Sequence, residues 1–232
     1  MSDKKRMPAL IIDEVLLLVD AYFELQSEKD IKIRKMMVET LSKNMRKLPF
    51  FPGERKNSEF RSVSGMHMCL ANVGYIDPSN PSKFGHGSEL QRKVFAYYLD
   101  KRDILHKLAQ AIVNLSEKAF PLDYSFEVNM TGIVLPSYHL YLERKNKTVL
   151  TVKREMVANA KSICRVCGIN LDDFYSHGEC YLESHIDLPL YKNNSKLVVS
   201  LADLVGLCPT CHKLAHSSPL EYEIKELEKY IR

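Results

Sequence analysis

The hydrophobic positions of the first 120 residues recur at helical spacing and predict a series of helices separated by turns. Asp30 is placed to cap the second of them, and Pro49 ends it because proline cannot continue a helix. The predicted helices span residues 8–27, 31–48, a short segment that begins with Ser64 as its cap, 88–100 and 101–118. The first part of the chain is therefore expected to be mostly helical.

The pattern changes close to Pro121. Between residues 123 and 142, the stretches SFEVN and SYHLYL alternate between apolar and polar positions, which predicts strands, and residues 149–161 predict another helix. We therefore predict an α+β protein of two domains. Residues 1–120 form a mostly helical domain, and residues 121–232 form a second domain that contains the cysteine-rich part of the chain.

The composition is that of a globular protein, with 45% hydrophobic and 27% charged residues in a chain of 232. No apolar run is long enough to cross a bilayer. The apolar stretch near the start resembles a signal peptide, but Asp13, Glu14 and Asp20 interrupt it and no small-residue cleavage site follows. We interpret it as an amphipathic helix of a cytoplasmic protein.

Positive charge is concentrated in one segment, although the net charge of the whole chain is only +4. Between residues 31 and 61 there are nine Lys or Arg residues and three Glu residues. On this pattern alone we favour a solvated helix face, unless the rest of the chain points to a nucleic acid. In that case the candidate DNA contacts are Arg34, Lys35, Arg46, Lys47, Arg55 and Arg61.

The cysteines predict a structural zinc site. Cys164 and Cys167 form one C-x-x-C pair, and Cys208 and Cys211 form a second. Two such pairs supply four thiolates to one tetrahedral zinc ion. The alternative, two unrelated pairs of buried cysteines, does not explain why both pairs have the same spacing. In a small domain such an ion substitutes for part of a hydrophobic core.

Histidines beside these cysteines predict a second metal site. His212 and His216 are four residues apart, so on a helix they share a face and bind one ion together. The alternative is that His216 is a surface residue at a helix C-terminus. His185 lies between the cysteine pairs, and Asp203 is expected to fix the loop that holds it. A base that activates water, next to a metal that neutralises a phosphate, suits phosphodiester hydrolysis.

These motifs resemble the HNH (ββα-metal) nucleases, and most closely their McrA-like restriction branch. The resemblance rests on C-x2-C, then E-x-H-I with a following P-L, then DLxxLCPxCHxxxH, and it extends upstream to HLYLERKNKTVL. A weaker likeness covers FRSVSGMHMCLANVGYIDP in the first domain. The resemblance implies that His185 is the general base, that His212 and His216 bind the catalytic ion, and that Asp203 orients His185 or its loop.

The chain departs from the family pattern around His185. Ser184 occupies the position where the family often has a third metal ligand, and the segment from His185 to Pro189 is one residue longer than usual. A second alignment places His185 at the ligand position and Ile186 at the position of the base, which would make the chain an inactive nuclease. We favour the first alignment because Ile186 follows His185 as it does in the family.

The sequence therefore predicts a metal-dependent DNA endonuclease of restriction type, with a structural zinc ion and a catalytic divalent ion such as Mg²⁺ or Mn²⁺. The resemblance implies double-stranded DNA as substrate and a first domain that reads sequence, including a modified cytosine. Symmetric double-strand cutting would require a homodimer. The alternative hypothesis is a zinc-stabilised DNA-binding protein whose catalytic site is degenerate, which Ser184 and the lengthened loop keep open.

Overall fold

The structure is a computed structural model that describes residues 7–80, 85–118, 120–122, 130–145, 150–151, 154, 162–187, 200–217 and 224–231. The chain divides into two compact units, Met1–Lys118 and Ala119–Arg232. In both, helices dominate, and the described strands form a single two-stranded sheet in the second unit. The protein therefore belongs to the α+β class.

The first unit is a bundle of helices around a central one. Helix α1 packs against each of the other helices of the unit, and its residues Val15–Val19 are buried on every side. A helix that is apolar all round belongs in the middle of a core. The helices are α1 (Ile12–Ser27), α2 (Ile31–Lys47), α3 (Val63–Ile76), α4 (Glu89–Tyr98) and α5 (Arg102–Leu115).

Polar side chains begin three of these helices. The carboxylate of Asp30 accepts hydrogen bonds from the first turn of α2, as predicted, and Ser88 caps α4. The prediction that Ser64 caps the third helix is wrong. Ser62 does so, because its Oγ accepts a hydrogen bond from the Gly65 N–H at 3.2 Å.

The second unit is built on a short hairpin-like sheet flanked by helices. Strands β1 (Glu183–Ile186) and β2 (Leu204–Leu207) pair in antiparallel fashion, with His185 opposite Val205. Helix α6 packs against β1, and helix α7, which follows β2 directly, packs against both strands. The helices of the unit whose bounds lie within the described residues are α6 (Val134–Lys145), α7 (Pro209–Ser217) and α8 (Ile224–Leu227).

Helix α6 corrects the prediction that SYHLYL forms a strand. Pro136 is compatible with the helix because it lies in the first turn, where the backbone N–H groups have no partner within the helix. From Val134 to Glu143 every side chain except that of Tyr141 is buried, including the polar ones of His139 and Glu143, so no outward-facing polar stripe marks the helical period. The segment SFEVN and most of residues 149–161 lie outside the described residues.

Within the described ranges, no helix combines the length and the apolar character that crossing a membrane requires.

Candidate metal centres

The four cysteines of the two C-x-x-C pairs form one cluster. Their Sγ atoms lie within 4.8 Å of one another, and the Sγ atoms of Cys167 and Cys208 are 3.9 Å apart. Thiolates that share a tetrahedral zinc ion with bonds of about 2.3 Å are separated by about 3.8 Å. The donor set and its spacing therefore fit a zinc ion.

Local structure brings these cysteines together. Cys164 accepts a hydrogen bond from the Gly168 N–H at 2.9 Å, which closes a tight turn, and Gly168 has the positive φ of 72° that favours glycine. Cys208 precedes α7 and Cys211 lies in its first turn. Among the described residues, the buried apolar side chains around the cluster are Leu171, Leu182, Leu207, Ala215, Ile224 and Leu227, with Val166, Val205 and Leu214 packed against them. A core this small gives a metal ion a large share in stability.

The electrostatics of the cluster favour a cation. Burial alone raises the pKa of Cys164, but backbone N–H groups of Cys167, Cys208 and Val166 lower that pKa to about 7. Burial and the neighbouring thiols raise the pKa of Cys211. One thiol is thus prepared to ionise, and further ionisation of the cluster needs a positive charge at its centre.

The three predicted histidines converge beside the sheet. His212 and His216 share a face of α7, with their Nε2 atoms 2.8 Å apart. His185 projects from β1, and its ring centroid lies 5.5 Å from that of His212 and 5.2 Å from that of His216. The order strand, strand, helix, with histidines on β1 and α7, places all three imidazoles in one cluster.

A glutamate that the sequence did not single out lies at the centre of this cluster. Glu143 on α6 is 3% exposed. Its Oε1 lies 2.8 Å from His139 Nε2 and 3.1 Å from His185 Nδ1, and it accepts a hydrogen bond from the Ile186 N–H at 2.9 Å. Its Oε2 lies 3.1 Å from His212 Nε2 and 3.1 Å from His216 Nε2. Helix α6 therefore contributes both a carboxylate and a fourth imidazole.

The cluster has a buried side and a side open to solvent. His139 and His185 are fully buried, whereas the side chains of His212 and His216 are 13% and 12% exposed. Glu183, two residues before His185 on β1, contacts His212 Nδ1 and is about half exposed. A ligand from solution can reach the cluster on the side of α7.

The charges within the cluster are unevenly distributed. Burial alone raises the pKa of Glu143, but the surrounding histidines, His139 first among them, lower it well below its usual value. Burial lowers the pKa of His216 to about 4. Burial also lowers the pKa of His212, but contacts with Glu143 and Glu183 outweigh that effect and raise it. At neutral pH the site therefore contains an ionised carboxylate and a neutral His216, both of which are suitable metal donors.

The backbone of Asp203 is hydrogen-bonded to Asp187, two residues after His185. Its carbonyl oxygen accepts a hydrogen bond from the Asp187 N–H at 2.8 Å. Its carboxylate accepts hydrogen bonds from the backbone N–H and the hydroxyl of Ser200, at 2.8 and 2.6 Å. The structure thus pairs the backbone of Asp203 with that of Asp187 and directs its carboxylate at Ser200.

Sequence reasoning missed His139, Glu143 and the contact of Glu183 with His212. The spacing of His139 and Glu143 is the same i, i+4 spacing that identified His212 and His216. This signal was hidden because the segment was interpreted as a strand. Glu183 lies two residues before His185, so on a strand both side chains point to one face.

Three of the six candidate DNA contacts in the first unit are committed to its own fold. Arg61 is buried and forms an ion pair with Glu14, with Nε–Oε1 and Nη2–Oε2 distances of 2.6 and 2.7 Å. Arg46 donates hydrogen bonds to backbone carbonyls of the segment 55–60, including that of Phe60 at 2.5 Å. Arg55 donates to the carbonyl groups of Leu48 and Phe50. The guanidinium of Arg61 is thus committed to a buried ion pair, which argues against a DNA contact.

The remaining three basic candidates lie nearer the surface. Lys35 lines a cavity of about 610 Å³ together with Arg34, whose guanidinium also donates to the carbonyl groups of Leu25 and Glu28. Lys47 forms an exposed ion pair with Glu117 at 2.7 Å. Exposed pairs of this kind are weak and exchange readily for other partners.

Comparison with known proteins gives one partial similarity. Over 76 residues the chain is 33% identical to the type IV methyl-directed restriction enzyme EcoKMcrA of Escherichia coli (strain K12). The matched segment is 33% of this chain and 26% of that enzyme, so it spans about a quarter of the length of the relative. No protein-family profile and no solved structure matches the chain. The similarity supports a relationship to restriction endonucleases.

Proposed function

We propose that this protein is a metal-dependent DNA endonuclease of restriction type, with the ββα-metal (HNH) arrangement as its catalytic domain. The observation that carries the proposal is the convergence of His185 from β1 with His212 and His216 from α7, next to the four-cysteine cluster. The partial similarity to a restriction enzyme supports the same class of substrate.

The proposed catalytic ion is held by His212 and His216, whose Nε2 atoms face each other on the solvent-accessible side of the cluster. A divalent ion such as Mg²⁺ or Mn²⁺ would neutralise the scissile phosphate and the leaving oxygen. The cysteine cluster would hold a structural zinc ion that fixes the start of α7, and thereby the direction of both imidazoles.

His185 is the proposed general base. Its Nδ1 lies 3.1 Å from Oε1 of Glu143, so the imidazole lies directly beside the carboxylate at the centre of the cluster. Strand alternation places His185 and Glu183 on the face that meets the cluster. Asp203 would keep the following loop in place through its hydrogen bond with Asp187.

The first unit would supply DNA affinity. Arg34, Lys35 and Lys47 are the basic candidates that the structure leaves near the surface. Such residues contact phosphates, which position a protein on DNA without specifying a sequence. We propose that this unit also selects the site, and that a modified cytosine is part of it. The name of the related enzyme says of that protein that it is methyl-directed.

A plasmid-cleavage assay tests the proposal. The zinc-loaded protein is incubated with methylated and unmethylated copies of one supercoiled plasmid, with Mg²⁺ or Mn²⁺ and with EDTA. We expect nicked and linear products that depend on the metal, and loss of cleavage in His212→Ala and His185→Ala with DNA binding retained. The matched control is His177→Asn, because His177 is exposed in the same unit and asparagine tolerates its positive φ of 65°.

A second candidate function is a zinc-stabilised DNA-binding protein without nuclease activity. It is favoured by the complete burial of His185 and by Ser184, which stands where the family often has a third metal ligand. This candidate predicts specific DNA binding in a gel-shift assay and intact plasmid at every metal concentration. Cleavage that survives in His185→Ala would contradict the role of the base in the first candidate.

A further inference from the structure

We infer that Glu143 is a ligand of the divalent ion, completing a set of two histidines and one carboxylate with His212 and His216, and that His139 is a positioning residue for Glu143. The inference rests on the proposed function only for the kind of ion and the reaction that the site supports. The placement of the donor atoms stands independently of that function.

The distances between the donor atoms carry the argument. His212 Nε2 and His216 Nε2 are 2.8 Å apart, and each is 3.1 Å from Glu143 Oε2. Adjacent ligands of an octahedral ion with bonds of about 2.1 Å are separated by about 3.0 Å. The three atoms therefore form a triangle of the size that one face of such a shell requires.

The two oxygens of Glu143 have separate surroundings. Oε1 is fixed by the Ile186 N–H at 2.9 Å and lies 2.8 Å from Nε2 of the buried His139. Oε2 faces only the two imidazoles of α7 among the contacts that the structure describes. One oxygen anchors the side chain and the other is presented beside His212 and His216, as expected for a carboxylate that binds an ion through one atom.

Glu143 also supplies the third ligand that the family often has at the position of Ser184. Ser184, at the position where related sites often have a third ligand, is buried and alternates with His185 along β1, so its side chain points to the opposite face of the sheet. A carboxylate from α6 supplies the third ligand from another direction. An oxygen donor also moves the site's preference toward Mn²⁺ and Mg²⁺ and away from softer ions.

Mn²⁺ binding to the zinc-loaded, full-length protein tests the inference without relying on cleavage. Calorimetric titration should show Mn²⁺ affinity at least 100-fold weaker in Glu143→Gln than in the unmodified protein. His139→Gln, which changes the anchor of the carboxylate, should weaken affinity by about 10- to 100-fold. The control Glu183→Gln changes the other carboxylate at His212 and should have a smaller effect than either. Unchanged affinity in Glu143→Gln would overturn the inference.

A measurement on the unmodified protein covers the case in which a variant fails to fold. Pulsed electron paramagnetic resonance of bound Mn²⁺ counts the coordinating imidazole nitrogens. We expect two, from His212 and His216. Three or more would place His139 or His185 in the shell in the position assigned to Glu143, and would overturn the inference. Glu143-dependent Mn²⁺ binding without cleavage would sink the proposed function alone, whereas cleavage with Glu143-independent binding would sink this inference alone.

Discussion

Each unit of this protein buries a helical glutamate almost completely, but the two carboxylates have different partners. Glu14 in the first unit is 1% exposed and meets the guanidinium of Arg61 through both oxygens. Glu143 in the second unit is 3% exposed and meets imidazoles together with one backbone N–H. The first has a permanent cation as its partner, and the second has groups that are neutral for much of the pH range.

The difference separates a structural carboxylate from a functional one. A guanidinium keeps its charge at any pH a protein experiences, so the pair of Glu14 and Arg61 is complete without any ligand. Imidazoles balance a buried negative charge only in part, and a divalent cation among them balances it fully. The environment of a buried acid, more than its burial, indicates whether it belongs to the core or to a site.

Removal of the proposed zinc ion should change stability most, and it should affect the second unit but not the first. Cys164→Ser, or a strong chelator, would remove the proposed zinc ion at the start of α7, and zinc sites of this type contribute on the order of 10 kcal/mol to folding. We expect the second unit to unfold while the first retains its helices. Scanning calorimetry should lose one of two transitions, and Cys69→Ser, outside the cluster, is the matched control.

The buried ion pair should give the next largest effect. Arg61→Met leaves Glu14 charged without a partner and should destabilise the first unit by about 3–5 kcal/mol. The same kind of change at Glu143, to Gln, should cost the second unit, loaded with zinc but without the divalent ion, only about 1–2 kcal/mol, because neutral imidazoles lose no opposing charge. Urea unfolding followed by circular dichroism measures both. Equal costs would show that the two carboxylates are equivalent after all.

A third carboxylate, that of Asp20 in the first unit, should make the stability of the protein depend on pH. Burial raises the pKa of Asp20 to about 6, with Glu24 adding to the rise and His106, 3.2 Å away, opposing it. A raised acid pKa means that stability is highest below the unfolded value near 4 and falls as the pH rises through 6. Asp20→Asn should therefore gain up to about 3 kcal/mol relative to the unmodified protein between pH 4 and pH 7. If the difference in stability between Asp20→Asn and the unmodified protein does not change over this pH range, the pKa of Asp20 is not raised.

Basic side chains on the surface should give the smallest effects on stability. Lys35→Ala should change the free energy of unfolding by less than about 0.5 kcal/mol, whereas Arg46→Ala should cost more because it removes hydrogen bonds to the 55–60 segment. DNA affinity should fall more in Lys35→Ala than in Arg46→Ala, and the affinity of Lys35→Ala should depend less on salt. Gel-shift titrations at several salt concentrations measure this. A loss of DNA affinity in Arg46→Ala but not in Lys35→Ala would show that Arg46, and not Lys35, contacts DNA.

The sequence by itself determined the parts of this protein that depend on local spacing. Two C-x-x-C pairs close onto one point because each forms a short turn, and His212 and His216 share a face because a helix repeats every 3.6 residues. The predicted α+β class and the second helix with its Asp30 cap are confirmed. In each case the signal lies within a few neighbouring residues.

Only the tertiary structure decided which charges serve the fold and which gather at the site. Arg61 belongs to the same basic segment as Lys35, and nothing local distinguishes a buried guanidinium from an exposed ammonium until α1 brings Glu14 to it, 47 residues away along the chain. Glu143 is likewise 69 residues from His212, and its helix was taken for a strand because burial on all sides removes the polar stripe that marks a helical period. Pairing of a buried charge is a long-range property, so packing alone assigned Glu14 to the core and Glu143 to the candidate metal centre.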